Sequence, residues 1–191
     1  MKVAVYCASS TKIAPAYFQA AAELGRLMAG QGIGLVNGAG NMGLMAAVAD
    51  ACLTAGGEVT GVIPTFMVEQ GWHHKGLTSI IETADMHTRK ATMAEISDGC
   101  IALPGGCGTL EELMEVITWK QLGLYLKPIV ILNLNGYYDH LLSQLEHGIE
   151  EHFLGELHRN IWRVATSAQE AIDLVLSTPL WDKNVRKFAA I

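Results

Sequence analysis

The chain has 191 residues, of which 50% are apolar and 17% charged, and carries a formal net charge of −6 at pH 7. That length suits one domain able to bury roughly 70% of the surface its unfolded chain exposes. The negative balance argues against nucleic acid and against an anionic membrane surface as partners, so any bound anion must be held by local groups.

The N-terminal stretch MKVAVYCASS has no signal-peptide h-region, and no run approaches the ~20 apolar residues of a membrane span. A cytoplasmic protein is expected. In chain order, residues 3–7, 33–37, 58–63, 79–82, 100–103 and 128–133 are short, apolar and mostly β-rich, which predicts strands. Between most of them lie segments of helical length and period at 16–29, 43–55, 86–96, 110–122 and 138–152. A last strand at 162–165 and a helix at 168–176 close the pattern.

Near-continuous apolar strands alternating with helices mean a parallel sheet with helices on both faces. The fold class expected is therefore α/β: a single Rossmann-like domain over residues 1–178, followed by an irregular C-terminal arm over 179–191. In such sheets ligands bind beyond the carboxyl ends of the strands. The residues there are small, polar or turn-forming: Ser9 and Ser10, the glycines from Gly38, Pro64 and Thr65, Asp85, Pro104 to Gly106, and Asn133 to Asn135.

Two of these strand ends are glycine loops. In NGAGNMG, Gly38, Gly40 and Gly43 match G-x-G-x-x-G ahead of a helix. Backbone N–H groups and a helix N-terminus there would cradle an anion; tight strand-to-helix packing explains the same glycines. A dinucleotide site also wants an acid at the end of the next strand. Glu58 lies at the start of that strand instead, so NAD binding is not supported.

The second loop, PGGCGT, ends without a lysine after its last glycine and is not a P-loop. Two such loops on one face suggest a phosphorylated ligand lying between them.

Glu111 and Glu112 follow this loop and are expected in the first turn of a helix, where the macrodipole favours them. Thr109 and Glu112 have capping-box spacing, with Thr109 as N-cap. Glu115 and Trp119 share the helix stripe of Glu112. In DMHTRKATM, Asp85 is expected to cap a helix that carries Arg89 and Lys90 near its first turn. The pair reads either as solvated, or with Arg89 facing an anion or carboxylate in the pocket.

Cys7, Cys52 and Cys100 sit in or beside apolar runs and read as core residues, while Cys107 lies in the glycine loop. Neither the cysteines nor the seven histidines have metal-ligand spacing, so no metal is expected.

PGGCGTLEE fits the pattern PGGxGTxxE, with DMHTRK upstream. Together with CASS, NGAGNMGLM, HKGLT, TWKQLG and the region around Glu156 to Arg159, these motifs span most of the chain. The sequence resembles the LONELY GUY (LOG) family, cytokinin riboside 5′-monophosphate phosphoribohydrolases often labelled lysine decarboxylases.

The resemblance implies hydrolysis of the N-glycosidic bond of an adenosine 5′-monophosphate, often N6-prenylated, to free base and ribose 5-phosphate. It implies no metal or organic cofactor, and a homodimer. By motif the catalytic pair maps onto Arg89 and Glu112, with phosphate cradled by Gly105, Gly106, Gly108 and Thr109. Met86, Lys90 and Glu115 map near the substrate, and Ser9, Gly38 and Gly40 complete the expected binding set. The chain departs from the family in NGAGNMG, where YGGG is usual and Ala39 is expected to bring a Cβ close to the ligand. It departs again in MHTRK, where Thr88 replaces the common glutamate.

The implied chemistry suits the residues. Breaking a ribosyl C–N bond builds positive charge on the sugar, which a carboxylate such as Glu112 can stabilise while it positions or deprotonates water. Arg89 would hold Glu112 or the phosphate, or offset charge on the leaving purine. Pyridoxal phosphate chemistry needs a Schiff-base lysine, and only Lys90 is on offer, without an acid for the pyridinium nitrogen. The reading from a different class is a nucleotide- or cofactor-binding carrier module of the same superfamily, without turnover. Trp119, Leu122, Leu124 and Tyr125 fit either the core or a dimer contact.

Overall fold

The apolar runs assemble into a single sheet in the structure, a computed structural model that describes residues 1–182. Its strands are β1 (Lys2–Tyr6), β2 (Gly34–Asn37), β3 (Val59–Pro64), β4 (Ser79–Thr83), β5 (Cys100–Ala102), β6 (Ile129–Leu132) and β7 (Arg163–Ala165). All pair in parallel, in the order β4-β3-β2-β1-β5-β6-β7. Between them run α1 (Pro15–Gly30), α2 (Gly43–Thr54), α3 (Thr65–Glu69), α4 (Met86–Ile96), α5 (Cys107–Gln121), α6 (Asp139–Glu150) and α7 (Ala168–Ser177).

The period of two along the strands divides the core. Val3 and Val5 of β1, Leu35 of β2 and Ile101 of β5 join Leu24 and Met28 of α1, Leu44 and Val48 of α2, and Ile172 and Val175 of α7. Their neighbours in sequence, Ala4, Tyr6, Val36, Cys100 and Ala102, join Met93 of α4, Leu113 and Ile117 of α5, and Leu145 and Ile149 of α6. Helices therefore cover both faces, as near-continuous apolar strands require. Cys7, Cys52 and Cys100 are buried, and Cys107 is exposed.

Strand order reverses between β1 and β5, which pair with Tyr6 opposite Ala102. The chains leaving these two strands diverge to opposite faces and open a crevice at their carboxyl ends. The loops stay joined at the base, where Ala8 N donates to Pro104 O at 3.3 Å.

The structure differs from the sequence expectation in a few elements. The helix expected at 110–122 begins earlier, at Cys107. The five-residue α3 and the 3-10 turns Leu134–Gly136 and Glu156–Asn160 are additional. Of the expected arm at 179–191, residues 183–191 lie outside the described residues, and 179–182 form neither helix nor strand. No helix among the described residues is long and apolar enough to cross a membrane.

Candidate active site

A cavity of about 680 Å³ fills the crevice beyond β1 and β5. Its wall includes Ser9, Gly40, Trp72, Arg89, Thr109 and Glu112, contributed by five separate segments of chain.

One end is the start of α5. Gly106 is the N-cap, no side chain caps the helix, and the first intrahelical bond runs from Leu110 N to Gly106 O at 3.0 Å. The N–H groups of Cys107, Gly108 and Thr109 are thus without protein acceptors among the described residues, and all three residues line the cavity. A Cβ on Gly106 or Gly108 would meet nothing within 4 Å, whereas one on Gly105 would fall 2.1 Å from Thr109 Oγ1. Gly105 therefore makes room for the Thr109 side chain, while Gly106 and Gly108 border open space.

This arrangement corrects the capping-box expectation. Thr109 occupies the third helical position rather than the N-cap, and Glu111 and Glu112 lie beyond the first turn, which holds no acid.

The first glycine loop is different in kind. At the start of α2, Leu44 N and Met45 N both donate to Ala8 O, at 2.8 and 3.3 Å. Two of the amides in the first turn that would cradle an anion there are already used inside the protein. Gly40 lines the cavity and bridges to His73. Gly38 lies behind it, where an added Cβ would fall 1.7 Å from Arg89 NH2; its lack of a side chain admits the guanidinium.

Ala39 is fully buried and takes a left-handed backbone, with φ 58°. Its N donates to Asn37 Oδ1 at 2.9 Å, and its Cβ packs against Gly61. The expectation that this methyl approaches the ligand is corrected accordingly: it faces β3. Thr88, the other departure, belongs to the capped turn of α4, where its N donates to Asp85 Oδ1 at 2.7 Å.

The centre of the wall is an ion pair. Arg89 Nε donates to Val62 O at 3.0 Å and NH2 to Gly38 O at 3.2 Å, while NH1 stands 3.3 Å from Glu112 Oε1. Arg89 and Glu112 are 6% and 8% exposed, so Arg89 is not a solvated surface cation. Its three-way fixation shows what it holds: two carbonyls and Glu112. Met86 Sδ is 3.9 Å from NH1. Burial pushes the Glu112 carboxyl up to about 7, with Arg89 opposing and Glu111 adding to the rise.

Lys90 turns the other way, its ammonium bonded to Glu111 and, at 3.1 Å, to Glu115. Burial disfavours its charge, but the bonds to Glu111 and Glu115 prevail and hold its pKa above the usual value. Lys90, Glu115 and Met86 therefore flank the ion pair without lining the cavity.

One part of the cavity wall escaped the sequence reading. Met42, Met45, Met67 and Trp72 form an apolar wall, with Met42 and Trp72 about half exposed. Asn41 N bonds to Trp72 O at 3.1 Å, and its side chain to Gly71 O at 3.2 Å, which ties the two loops together. The arrangement offers, within one cavity, unpaired N–H groups for an anion, a buried carboxylate with its arginine, and a sulfur-and-indole surface for a flat apolar group.

A family model described as possible lysine decarboxylase matches residues 45–175. The chain is 42% identical over 187 residues to the probable cytokinin riboside 5′-monophosphate phosphoribohydrolase LOGL6 of Oryza sativa subsp. japonica, which covers 97% of this chain and 75% of that protein. It is 44% identical over 171 residues to the cytokinin riboside 5′-monophosphate phosphoribohydrolase LOG1 of Arabidopsis thaliana, covering 90% of this chain and 80% of that protein. Among solved structures, a molybdenum cofactor binding protein from the phototrophic bacterium Rippkaea orientalis matches with TM-score 0.70 and 25% identity, over 92% of this chain and 95% of that one.

Proposed function

The chain belongs to the LONELY GUY (LOG) family of cytokinin riboside 5′-monophosphate phosphoribohydrolases, and we propose on that footing that it hydrolyses the N-glycosidic bond of adenosine 5′-monophosphates, N6-modified ones included. The products are free base and ribose 5-phosphate, the reaction type that activates a cytokinin. The observation that carries this reading is the buried Arg89–Glu112 pair set in the same cavity as the uncapped start of α5.

The phosphate of the nucleotide goes to the N–H groups of Cys107, Gly108 and Thr109, where the helix dipole adds to the hydrogen bonds. The base goes to the wall of Trp72, Met42 and Met67, and the ribose lies between them, against Glu112. As the C1′–N9 bond breaks, its electron pair leaves with the purine and the sugar acquires oxocarbenium character. The Glu112 carboxylate stabilises that charge and takes a proton from the water that bonds to C1′. The departing purine takes up a proton from solvent and Glu112 returns the one it took from water, so the sum is base plus ribose 5-phosphate. A positioned base of this kind is worth typically 10²–10⁴-fold.

Arg89 contributes by holding Glu112 in place. Two of its other N–H groups already serve Val62 and Gly38. Decarboxylation through a Schiff base finds no support: no lysine lines the cavity among the described residues, and Lys90 is engaged by Glu111 and Glu115. A cytoplasmic homodimer is the setting we expect. Leu122 and Leu124, 43% and 63% exposed where α5 ends, offer apolar surface for it.

The test is incubation of purified protein with AMP and N6-isopentenyl-AMP, followed by chromatography of free base and ribose 5-phosphate. Base release by the wild type, abolished in Glu112→Gln with AMP binding kept, is the expected result. A Glu112→Gln variant that turns over at near wild-type rate would remove the assignment. Nucleotides that bind but stay whole would make the protein a binding module.

A further inference from the structure

We propose that Tyr137 is a positioning residue for the phosphate loop, fixing the peptide between Gly105 and Gly106 so that its N–H faces the cavity. The inference rests on the proposed phosphate site and adds to it a residue from a strand end far from the glycine motif in sequence. Its hydroxyl donates to Gly105 O at 2.7 Å.

The physical problem is peptide orientation. In a trans peptide the carbonyl oxygen and the N–H point in opposite directions, so whatever holds Gly105 O decides where the N–H of Gly106 points. With no Cβ on either side, both orientations of this unit are sterically open. Gly106 has nothing within 4 Å of an added Cβ, so no packing at that residue wedges the plane. A flipped peptide would present a carbonyl to the anion, which is the wrong pole.

The surroundings are arranged against that flip. Three consecutive carbonyls each already have a protein donor: Leu103 O from Tyr138 Oη at 2.6 Å, Pro104 O from Ala8 N at 3.3 Å, and Gly105 O from Tyr137 Oη. What remains for the cavity is the run of N–H groups that starts at Gly106. Tyr138 is 1% exposed and has an evident place in the core, but Tyr137 is 43% exposed, so burial does not explain it.

Tyr137 is nevertheless held firmly. Its ring makes edge contacts with Tyr17 at 5.9 Å and Tyr138 at 5.0 Å. It is delivered by a turn in which Asn135 and Gly136 both have positive φ, 53° and 71°. Asn133 locks that turn by accepting from Tyr138 N and donating to Asp139, both at 2.7 Å.

The experiment compares wild type and Tyr137→Phe in the full chain by calorimetric titration with AMP and with adenosine, and by thermal melting. The expected result is a loss of about tenfold in AMP affinity, the scale of one charge-assisted hydrogen bond, with adenosine affinity within about twofold. In turnover the same variant raises KM for AMP and leaves kcat within about twofold. Inorganic phosphate, competing against AMP, should lose potency by the same factor as AMP loses affinity.

Equal weakening of AMP and adenosine, with a lowered melting temperature, would reduce Tyr137 to a structural role and overturn the proposal. Unchanged AMP affinity would overturn it as well, and so would a wild type that binds AMP no better than adenosine. AMP that binds tightly but is never cleaved removes the hydrolase reading alone and leaves this one standing.

Discussion

Glu112 combines two demands that pull against each other. In the role proposed for it the carboxylate must be ionised to stabilise a sugar cation, yet burial raises its pKa to about 7, with Arg89 only partly offsetting the rise. The sign follows directly: protonation removes the catalytic anion, so activity is lost as pH falls through that value and is retained above it. On the acid side kcat/KM for AMP should drop about tenfold per pH unit, with a midpoint near 7 set by the free enzyme. The nucleotide's own second phosphate ionisation lies near 6, roughly one unit lower, so a pH–rate profile separates the two. A midpoint near 6 would assign the limb to the substrate instead. The motif resemblance pointed to Glu112 as the candidate, but its setting was not legible in the sequence. Thr109 has the spacing and the residue type of an N-cap, yet Gly105 leaves a hollow that receives its side chain, and the N-cap is Gly106, with the helix starting at Cys107.

Among the elements, the strands and long helices were legible because their apolar period is set by a two-sided core, and the predicted helix at 86–96 coincides with α4. Five-residue α3 was not, since so short a segment carries no period. The apolar wall was equally invisible, because Met42, Met67 and Trp72 come from segments that only tertiary folding brings together. Helix contacts too close for any side chain also hide in a sequence. Gly25 of α1 is such a case: its added Cβ would fall 2.3 Å from Val48 O and 2.9 Å from Cys52 N of α2. Gly25→Ala gains about 1 kcal/mol of helix propensity but must force α1 and α2 apart, an overpacking that costs typically 1–3 kcal/mol or more. A net destabilisation of about 1–2 kcal/mol is expected, a fall of roughly 2–8 °C in melting temperature. Gly30, at the end of the same helix, has nothing within 4 Å of its added Cβ, so Gly30→Ala should leave the melt unchanged or raise it slightly. If the two variants melted alike, the tight crossing of α1 and α2 would lose its support.

At the scale of the molecule, the candidate site lies where the strand order reverses, and one side chain links several of the elements around it. Arg89 of α4 connects Val62 of β3, Gly38 beyond β2 and Glu112 of α5. The ligand should therefore stabilise the fold as a whole, and by mass action. AMP at a hundred times its Kd adds about 2.7 kcal/mol, which for a domain of this size is a rise of roughly 5–10 °C in melting temperature. Glu112→Gln should keep most of that rise while losing turnover, because in the proposed mechanism its carboxylate acts on the sugar cation rather than on the bound phosphate. Arg89→Met should behave differently, melting lower without ligand, since two buried carbonyls and a buried carboxylate lose their donor, a loss of several kcal/mol. Its rise with AMP should also shrink, as Gly38 and α5 are no longer held against each other. Melting curves of the three proteins with and without AMP check both statements. If Glu112→Gln lost the rise along with Arg89→Met, the carboxylate would be holding the ligand in place, and its part in breaking the bond would need another residue.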